Sequence, residues 1–491
     1  MNEKVTKARA AYMAGKTRPL WFRKQQLKSL MRMYEENMEE ICTAIYKDLR
    51  KCRTEVMAME IKLAMNDVKD MLANMDKWAG TETPARSFLN WLDSTYILKD
   101  PYGVVLIVGA WNYPIQLLMV PVAGAIAAGN CVIIKPSELA PATAEFLEKT
   151  IPKYLNNDCY CVINGGIPET TKLLQEKFDY IFYTGSSQVG KIIHRAANEN
   201  LTPVTLELGG KSPVYIDKTV DMDLAVTRLL WGKFVNMGQT CIAPDFVLCT
   251  PEVEREILAR APKIIEKFYG KNPQDSPDLS RMVNERHFKR VANLLQSGKV
   301  AYGGHMDAKD KYISPTILTQ IKASDPVMQE EIFGPVLPIV NVNSLDEAID
   351  YINSMEKPLA LYIFSKSEST VWRMMECTSS GSVCVNDTIM QIVADNLPFG
   401  GVGNSGMGKY HGRETFDTFT HKKSCLYKNF NSIGEALSSC RYPPYSQKKL
   451  GTLLKLIDRR PDLPSMGFLR YVAAFGLGFL ASIYYQQHTQ H

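Results

Sequence analysis

Three side chains in this sequence are of types that can take part in catalysis: the thiol of Cys241 in "FVNMGQTCIAP" (234–244), the carboxylate of Glu207 in "VTLELGGKSP" (204–213) and the amide of Asn112 in "WNYP" (111–114). A thiolate is a nucleophile, an amide N–H can steady an oxyanion, and a carboxylate can act as a general base. Each residue also has a plain structural reading. Free cysteine behaves as a small hydrophobe and is often buried, and Cys241 is one of eleven. Glu207 lies in an apolar run, where a carboxylate is either a partnered structural group or a base with a raised pKa. Gly238, Gln239 and Thr240 suit presentation of Cys241 at a helix N-terminus, which would favour thiolate over the reference pKa of about 8.5.

Such groups need a fold that delivers distant residues to one place. From residue 104 strand-like runs alternate with helical ones: "VVLIVG" (104–109), "QLLMVPVAGAIAAG", "CVIIKP" (131–136), a helix near 142–150, "CYCVI", a helix near 169–176, "YIFYTG", and a helix from about Ser187. This alternation predicts a parallel sheet with crossover helices on its faces, and such sheets bind ligands beyond the carboxyl ends of their strands. Trp111 and Asn112, residues 135–138, and Gly185 with Ser186 are therefore site candidates by position. Residues 3 to about 80 read as helices, with Leu27, Leu30, Met31 and Tyr34 at helical spacing. Pro84 and Pro101 bracket a turn and an extended excursion. Past residue 207 a second α/β unit follows, with strands at "DFVLCT", "PVLPIVNV" and "LALYIFS".

"YTGSSQVGK" (183–191) sets Gly185 and Gly190 between a strand and a helix, where backbone N–H groups and a helix N-terminus hold phosphate. The spacing nearly makes a P-loop, but Ile192 stands where serine or threonine must reach magnesium, which argues against nucleotide hydrolysis. A plain tight turn is the alternative. "KPSE" adds the cation of Lys135 and the carboxylate of Glu138, suited to ribose hydroxyls unless the loop is merely solvated. Together the two turns point to a dinucleotide. Cys159 and Cys161 form a close pair with no second pair at zinc-like spacing, so no metal site is expected.

"WNYP", "KPSE", "YTGS", "LELGGKSP", "GQTC", "EEIFGP" and "PFGGVGNSGMG" occur in the order found in NAD(P)-dependent aldehyde dehydrogenases, which the chain resembles from its N-terminus to about Tyr427. "VCVNDTIM" and "GKYHGRETFDTFTH" resemble the class 3 branch, and the apolar tail is most similar to the fatty aldehyde dehydrogenases within it. Gln391 departs from that branch, which has histidine there, and bears on the shape of the substrate entrance. The resemblance implies an α/β fold: a Rossmann-like cofactor domain (1–80 and 100–207), an α/β catalytic domain (208–407) and a small β oligomerisation arm (81–99 and 408–427), followed by a basic linker (428–465) and a C-terminal transmembrane helix (466–485).

The same resemblance implies Cys241 as nucleophile, Glu207 as general base, and Asn112 with the Cys241 backbone N–H as oxyanion hole. Lys135 and Glu138 become ribose-side contacts, Gly185 and Ser186 pyrophosphate contacts with Gly190 in the same turn, and Glu331 with Phe333 the group steadying the nicotinamide half. The implied cofactor is NAD, with NADP also accepted in the branch; the carboxylate of Glu138 disfavours a 2′-phosphate. The implied activity is oxidation of medium- to long-chain aliphatic aldehydes to carboxylic acids through a thiohemiacetal and a thioester, in a homodimer. Two rival readings stay open. One passes the acyl group to coenzyme A, for which Glu207 would be superfluous; the other is a catalytically inactive, membrane-associated scaffold.

With 491 residues, 45% of them apolar and 22% charged, the chain suffices for two or three packed domains. The first twenty residues contain no continuous apolar run, so no secretory signal is expected, the body stays cytosolic, and the cysteines are expected as free thiols. Residues 441–491 hold seven basic side chains against two acidic, which is the whole formal excess of +5. The neutral remainder has no electrostatic footprint for nucleic acid. "MGFLRYVAAFGLGFLASIYY" follows that basic cluster; as a helix rising about 1.5 Å per residue it is roughly 30 Å long, the thickness of a bilayer's hydrocarbon core. Arg470 can snorkel at one end, and Tyr484 and Tyr485 suit the other interface. The alternative is a helix lying on the membrane or packed on the body. As a span it is a tail anchor, which the resemblance places in the endoplasmic reticulum.

Overall fold

The computed structural model describes residues 2–85, 93–394, 396–428, 430 and 432–457. The expected span at 466–485 lies outside them, and among the described residues no helix is long and apolar enough to cross a membrane. The described residues divide into two compact units, one running to Gly80 and from Leu98 to Lys423, the other of Thr81–Ile97 with the described residues from Ser424 to Ile457.

β1 (Ser94–Pro101) lies ahead of the first large sheet. That sheet takes β2 (Val104–Val108), β3 (Cys131–Lys135), β4 (Tyr160–Val162), β5 (Tyr180–Thr184) and β6 (Val204–Glu207). These runs are almost wholly buried and rich in valine, isoleucine and aromatics, as a parallel sheet covered on both faces requires. The helices Gln116–Ala128, Pro141–Tyr154, Ile167–Leu173 and Ser187–Asn198 connect them. Gln116–Ala128 is buried along its whole length and stops at Gly129, whose φ of 97° is left-handed.

Along the sheet the order is β4, β3, β2, β5, β6, and the short β16 (Gly406–Met407) closes the edge antiparallel to β6. Val108 is level with both Lys135 and Tyr183, and Thr184 with Glu207. The carboxyl ends of β3, β2, β5 and β6 thus fall in one row. The chain moves outward from β2 through β3 to β4 and then resumes on the other side at β5, so the switch point lies between β2 and β5.

The second sheet comprises β7 (Pro213–Ile216), β8 (Phe246–Cys249), β9 (Lys299–Tyr302), β12 (Thr316–Thr319), β13 (Val336–Asn341), β14 (Ala360–Phe364) and β15 (Ser382–Val385). Its order is β15, β14, β7, β8, β13, β12, β9, with only β9 antiparallel to its neighbour. β10 (Met306–Asp307) and β11 (Tyr312–Ile313) form a small hairpin, and β17 (Thr420–Tyr427) pairs with β1. The sequence predicted β8, β13 and β14 but not β7, β9, β12 or β15, whose four-residue runs are too short to separate from loop by periodicity.

The N-terminal stretch is helical as expected, and Leu27, Leu30 and Tyr34 are buried. One helix changes type along its length: α over Arg53–Val56, π over Met57–Ile61, then α over Lys62–Trp78. A π turn widens the helix by one residue and rotates the side chains that follow. Here it carries Glu60 into the interior, where it pairs with the equally buried Lys51 at 2.7 Å. In the smaller unit Glu82 and Ile97 exchange backbone hydrogen bonds, Lys428 pairs with Asp93 at 2.8 Å, and the helix Gln447–Ile457 exposes Leu450, Leu454 and Ile457.

Candidate active site

Cys241 does not stand at a helix N-terminus. Ala243 N–H donates to the Thr240 carbonyl at 2.9 Å, leaving Cys241 and Ile242 as the central residues of a tight turn. The 3₁₀ turn Val235–Gly238 before it contains Asn236 and Met237 at φ 51° and 58°, a left-handed pair uncommon for residues other than glycine. Buried polar contacts hold that backbone. Asn236 N donates to Glu55 Oε2 at 3.1 Å, and Asn236 Nδ2 to the carbonyls of Asn112 at 2.9 Å and Gln239 at 3.1 Å. Gln239 Nε2 donates to the Arg281 carbonyl at 3.0 Å, and its Oε1 accepts from Val283 N at 3.0 Å. A Cβ on Gly238 would collide with the Gly334 carbonyl, so "EEIFGP" packs directly against this turn.

Asn112 reaches the turn from beyond the end of β2. Its Nδ2 donates to the Gln239 carbonyl at 3.0 Å, which engages one of the two N–H donors of the amide and leaves the other. Lys51 Nζ donates to the Asn112 carbonyl at 2.8 Å, and Glu60 Oε2 accepts from Ile115 N at 3.0 Å. The hydroxyls of Tyr113 and Thr240 lie 2.8 Å apart. Lys51, Glu60 and Asn236 thus position the site, and sequence reasoning missed them. Charged residues in a helical stretch read as a solvated face, and no periodicity signals a π turn.

Three acids are linked to this turn by electrostatics. Glu207, at the carboxyl end of β6, is 2% exposed and neither carboxylate oxygen has a hydrogen-bond partner. Burial pushes its pKa well above the ordinary carboxylate value. Burial, then the charge of Asp245, pushes Glu331 up to about 8, against the Gly210 N–H and the cations of Arg290 and Lys211. The Cys241 thiol is pushed up by burial first and then by the charges of Glu331 and Glu207; the backbone N–H groups of Cys241 and Ile242 pull the other way. The expected lowering of this thiol's pKa is therefore corrected: the sulfur meets two carboxyl groups in a tight turn instead of a helix N-terminus.

The residues expected at the cofactor lie along the row of strand ends. Lys135 Nζ, almost fully buried, bonds the Pro136 carbonyl at 2.9 Å and Glu138 at 3.2 Å, while Glu138 stays half-exposed. Ser186 caps the helix Ser187–Asn198, its Oγ accepting from Val189 N at 3.4 Å. A Cβ on Gly185 would strike the Tyr183 ring, and one on Gly190 would lie 2.8 Å from Leu208 Cδ2. Both glycines let this helix pack closely on the strand ends with its first-turn N–H groups pointing forward. Phe333 sets its ring edge-on to Trp111 at 5.4 Å. A cavity of about 490 Å³ is lined by Ser187, Gly209, Lys211, Glu331, Lys357 and Asn404. A helix N-terminus for phosphate, a carboxylate for ribose and a cavity reaching Glu331 fit a nicotinamide dinucleotide.

Asn112 bonds the backbone beside the Cys241 turn and the charges of Glu207 and Glu331 act on its thiol, with Lys135, Glu138, Gly185 and Ser186 at or just past neighbouring strand ends and Gly190 in the helix that follows. A doubly wound sheet that seats a dinucleotide beside a thiol is the mark of a nicotinamide-dependent oxidoreductase that works through a cysteine adduct. The description "Aldehyde dehydrogenase family" matches residues 1–425. Aldehyde dehydrogenase family 3 member A2 of Pongo abelii is 50% identical over 479 residues, 96% of this chain and 98% of that one. The dimeric NADP-preferring aldehyde dehydrogenase of Mus musculus is 50% identical over 444 residues, 90% of this chain and 98% of that one. Among solved structures, the substrate-bound state of Staphylococcus aureus AldH superposes with a TM-score of 0.90 at 42% identity, covering 93% of this chain and 99% of that one. The chain belongs to the aldehyde dehydrogenase family, within class 3, and it oxidises aldehydes to carboxylic acids with NAD(P)+.

Proposed function

We propose that Cys241 is the nucleophile of a fatty-aldehyde oxidation carried out at a membrane surface, with Glu207 as general base and Asn112 Nδ2 and the Cys241 N–H as oxyanion donors. The observation that carries this reading is a thiol in the turn 240–243, an amide with one uncommitted N–H bonded to the adjoining Gln239 carbonyl, and a buried carboxyl group, both oxygens unpartnered, whose charge acts on that thiol. The thiol gives up its proton to solvent, sulfur adds as thiolate to the aldehyde carbon, and the carbonyl oxygen becomes an oxyanion held by the two donors. When bound, NAD(P)+ supplies the acceptor for the hydride this carbon loses, which leaves a thioester on Cys241. Glu207 then draws a proton from the water that attacks the thioester; the acid departs and the thiol is restored. A base at this position favours water over coenzyme A as acyl acceptor.

Lys135 and Glu138 receive ribose hydroxyls, the turn of Gly185, Ser186 and Gly190 the pyrophosphate, and Glu331 with Phe333 the nicotinamide half. NAD is the preferred cofactor because of the Glu138 charge. Residues 81–99 and 408–427 serve as the arm of a homodimer, a reading supported by the dimeric relative. The apolar run 466–485 spans the endoplasmic reticulum membrane, and the basic residues before it keep the body cytosolic by the positive-inside rule. Held there, the site meets long aliphatic aldehydes that scarcely dissolve in water.

Cys241→Ala is expected to abolish aldehyde-dependent NADH formation while NAD+ binding, followed by fluorescence, persists; oxidation surviving the substitution sinks the assignment. Glu207→Gln is expected to keep a pre-steady-state burst of NADH while turnover collapses, and loss of the burst would mean that Glu207 is needed to activate the thiol as well.

A further inference from the structure

Tyr362 is a fully buried tyrosine in β14, a strand flanked by β7 and β15. Its hydroxyl donates to the Ile242 carbonyl at 2.5 Å, and Ile242 follows Cys241 in the tight turn closed by Ala243 and Thr240. The same oxygen accepts from Ile389 N at 3.3 Å and from Gln391 Nε2 at 3.2 Å. We propose that Tyr362 is a positioning residue for Cys241 and that Gln391 sets its grip: a hydrogen-bond chain from the Gln391 amide through the Tyr362 hydroxyl to the Ile242 carbonyl fixes the turn that presents the thiol. This rests on the reading of Cys241 as nucleophile.

The turn is pinned on both flanks. On one side the Tyr113 and Thr240 hydroxyls pair at 2.8 Å; on the other Tyr362 holds the carbonyl of the residue after the thiol. Two donors feeding one hydroxyl polarise its own O–H, so the members of the chain strengthen one another. Burial pushes the Tyr362 phenol up, and it therefore keeps the proton it donates across the working pH range. The donors come from a clamped segment. Asn386 exchanges hydrogen bonds with the backbone of Ser365 at 2.9 and 3.0 Å, just past the end of β14, and Thr388 Oγ1 donates to the Arg228 carbonyl at 2.7 Å. Ile389 takes φ 65°, a backbone region that a β-branched residue avoids, and its N–H meets Tyr362 from that conformation. Met390 and Val393, beside Gln391, are 45% and 52% exposed, so the chain runs from the protein surface to the nucleophile turn. Gln391 Oε1 is buried without a partner, which leaves the donor end of this amide as its engaged one.

The test is a double-mutant cycle on the full-length enzyme, reading the pre-steady-state NADH burst, the rate of Cys241 alkylation by iodoacetamide with the labelled residue identified by mass spectrometry, and thermal melting. Tyr362→Phe removes one oxygen and keeps the ring; it is expected to slow the burst about tenfold, with KM for NAD+ unchanged, because a nucleophile misplaced by a fraction of an ångström loses rate steeply. Gln391→Leu is expected to slow the burst about threefold, the scale of one neutral hydrogen bond, and to have no further effect in the Tyr362→Phe background. Gln391→His, which keeps an N–H donor, is expected to retain most of the rate. A parent-like burst in Tyr362→Phe, or losses that multiply independently in the double variant, overturns the proposal. Should Tyr362→Phe fail to fold, Gln391→Leu alone decides: an unchanged burst and alkylation rate overturns it. Activity surviving Cys241→Ala would instead sink the nucleophile assignment, an outcome distinct from any of these.

Discussion

Cys241 lies within electrostatic reach of Glu331 and Glu207, and their charges make ionisation of its thiol harder. The partition of protons among them is the chemistry of the site at the level of single residues. Glu331 titrates near 8, so below that pH it is largely neutral and adds little to the burden on the thiol; above it the carboxylate charge opposes thiolate formation. Glu331→Gln is accordingly expected to alkylate at Cys241 with a rate that tracks the parent enzyme below about pH 8 and rises above it at higher pH; parallel profiles over the whole range would refute the coupling. The proposed part of Glu138 in cofactor choice is a matter of charge. Its half-exposed carboxylate beside Lys135 is expected to oppose a 2′-phosphate. Glu138→Gln should shift the NADP/NAD ratio of kcat/KM toward NADP by about fivefold, on the scale of one partly screened charge interaction of ~1 kcal/mol. An unchanged ratio would remove Glu138 from cofactor choice.

At the scale of elements, the site is a junction between the first sheet's strand ends and the N-terminal helices. The π turn Met57–Ile61 brings Glu60 to the Ile115 N–H and to Lys51, which in turn holds the Asn112 carbonyl. Removing one partner of a buried ion pair leaves the other charge unpaired, at a cost of about 3–5 kcal/mol. Lys51→Met should lower the denaturant-derived stability by that amount and slow the burst through Asn112; a loss below about 1 kcal/mol, the scale of an exposed pair, would show that Glu60 finds another partner. Strands β2, β3 and β5 were legible as unbroken runs of valine, isoleucine and aromatics, because strands covered on both faces need no alternation. β7 was not, since "PVYI" alone is compatible with loop or helix until its neighbours β8 and β14 supply the ladder.

For the whole molecule, the question is where the catalytic body is held. The basic excess of residues 441–491 and the apolar run behind it are sequence properties, and they lead to a test on the intact chain. Truncation after Arg460 is expected to give a soluble enzyme still active on short aldehydes, while the full-length protein resists alkaline carbonate extraction from membranes. Release of the full-length protein by carbonate would replace a span by peripheral attachment through the basic segment. The helix Gln447–Ile457, with Leu450, Leu454 and Ile457 exposed along it, lies within the basic segment and ahead of the apolar run.

The sequence by itself determined the alternation of strands and helices and the strand-end positions of Asn112, Lys135 and Gly185, because hydrophobic periodicity and local turn chemistry are written in neighbouring residues. It also carried the ordered motifs by which the family is recognised. Tertiary structure alone decided how the reacting groups are tuned. A pKa depends on what surrounds a side chain in space, and Glu331 stands far from Cys241 in the chain yet bears on its thiol. The same holds for the supports. Lys51, Glu60, Asn236 and Tyr362 meet the site only through a π turn, a left-handed backbone pair and a strand of the second sheet. Such contacts join residues that are remote in sequence, and no local pattern encodes them.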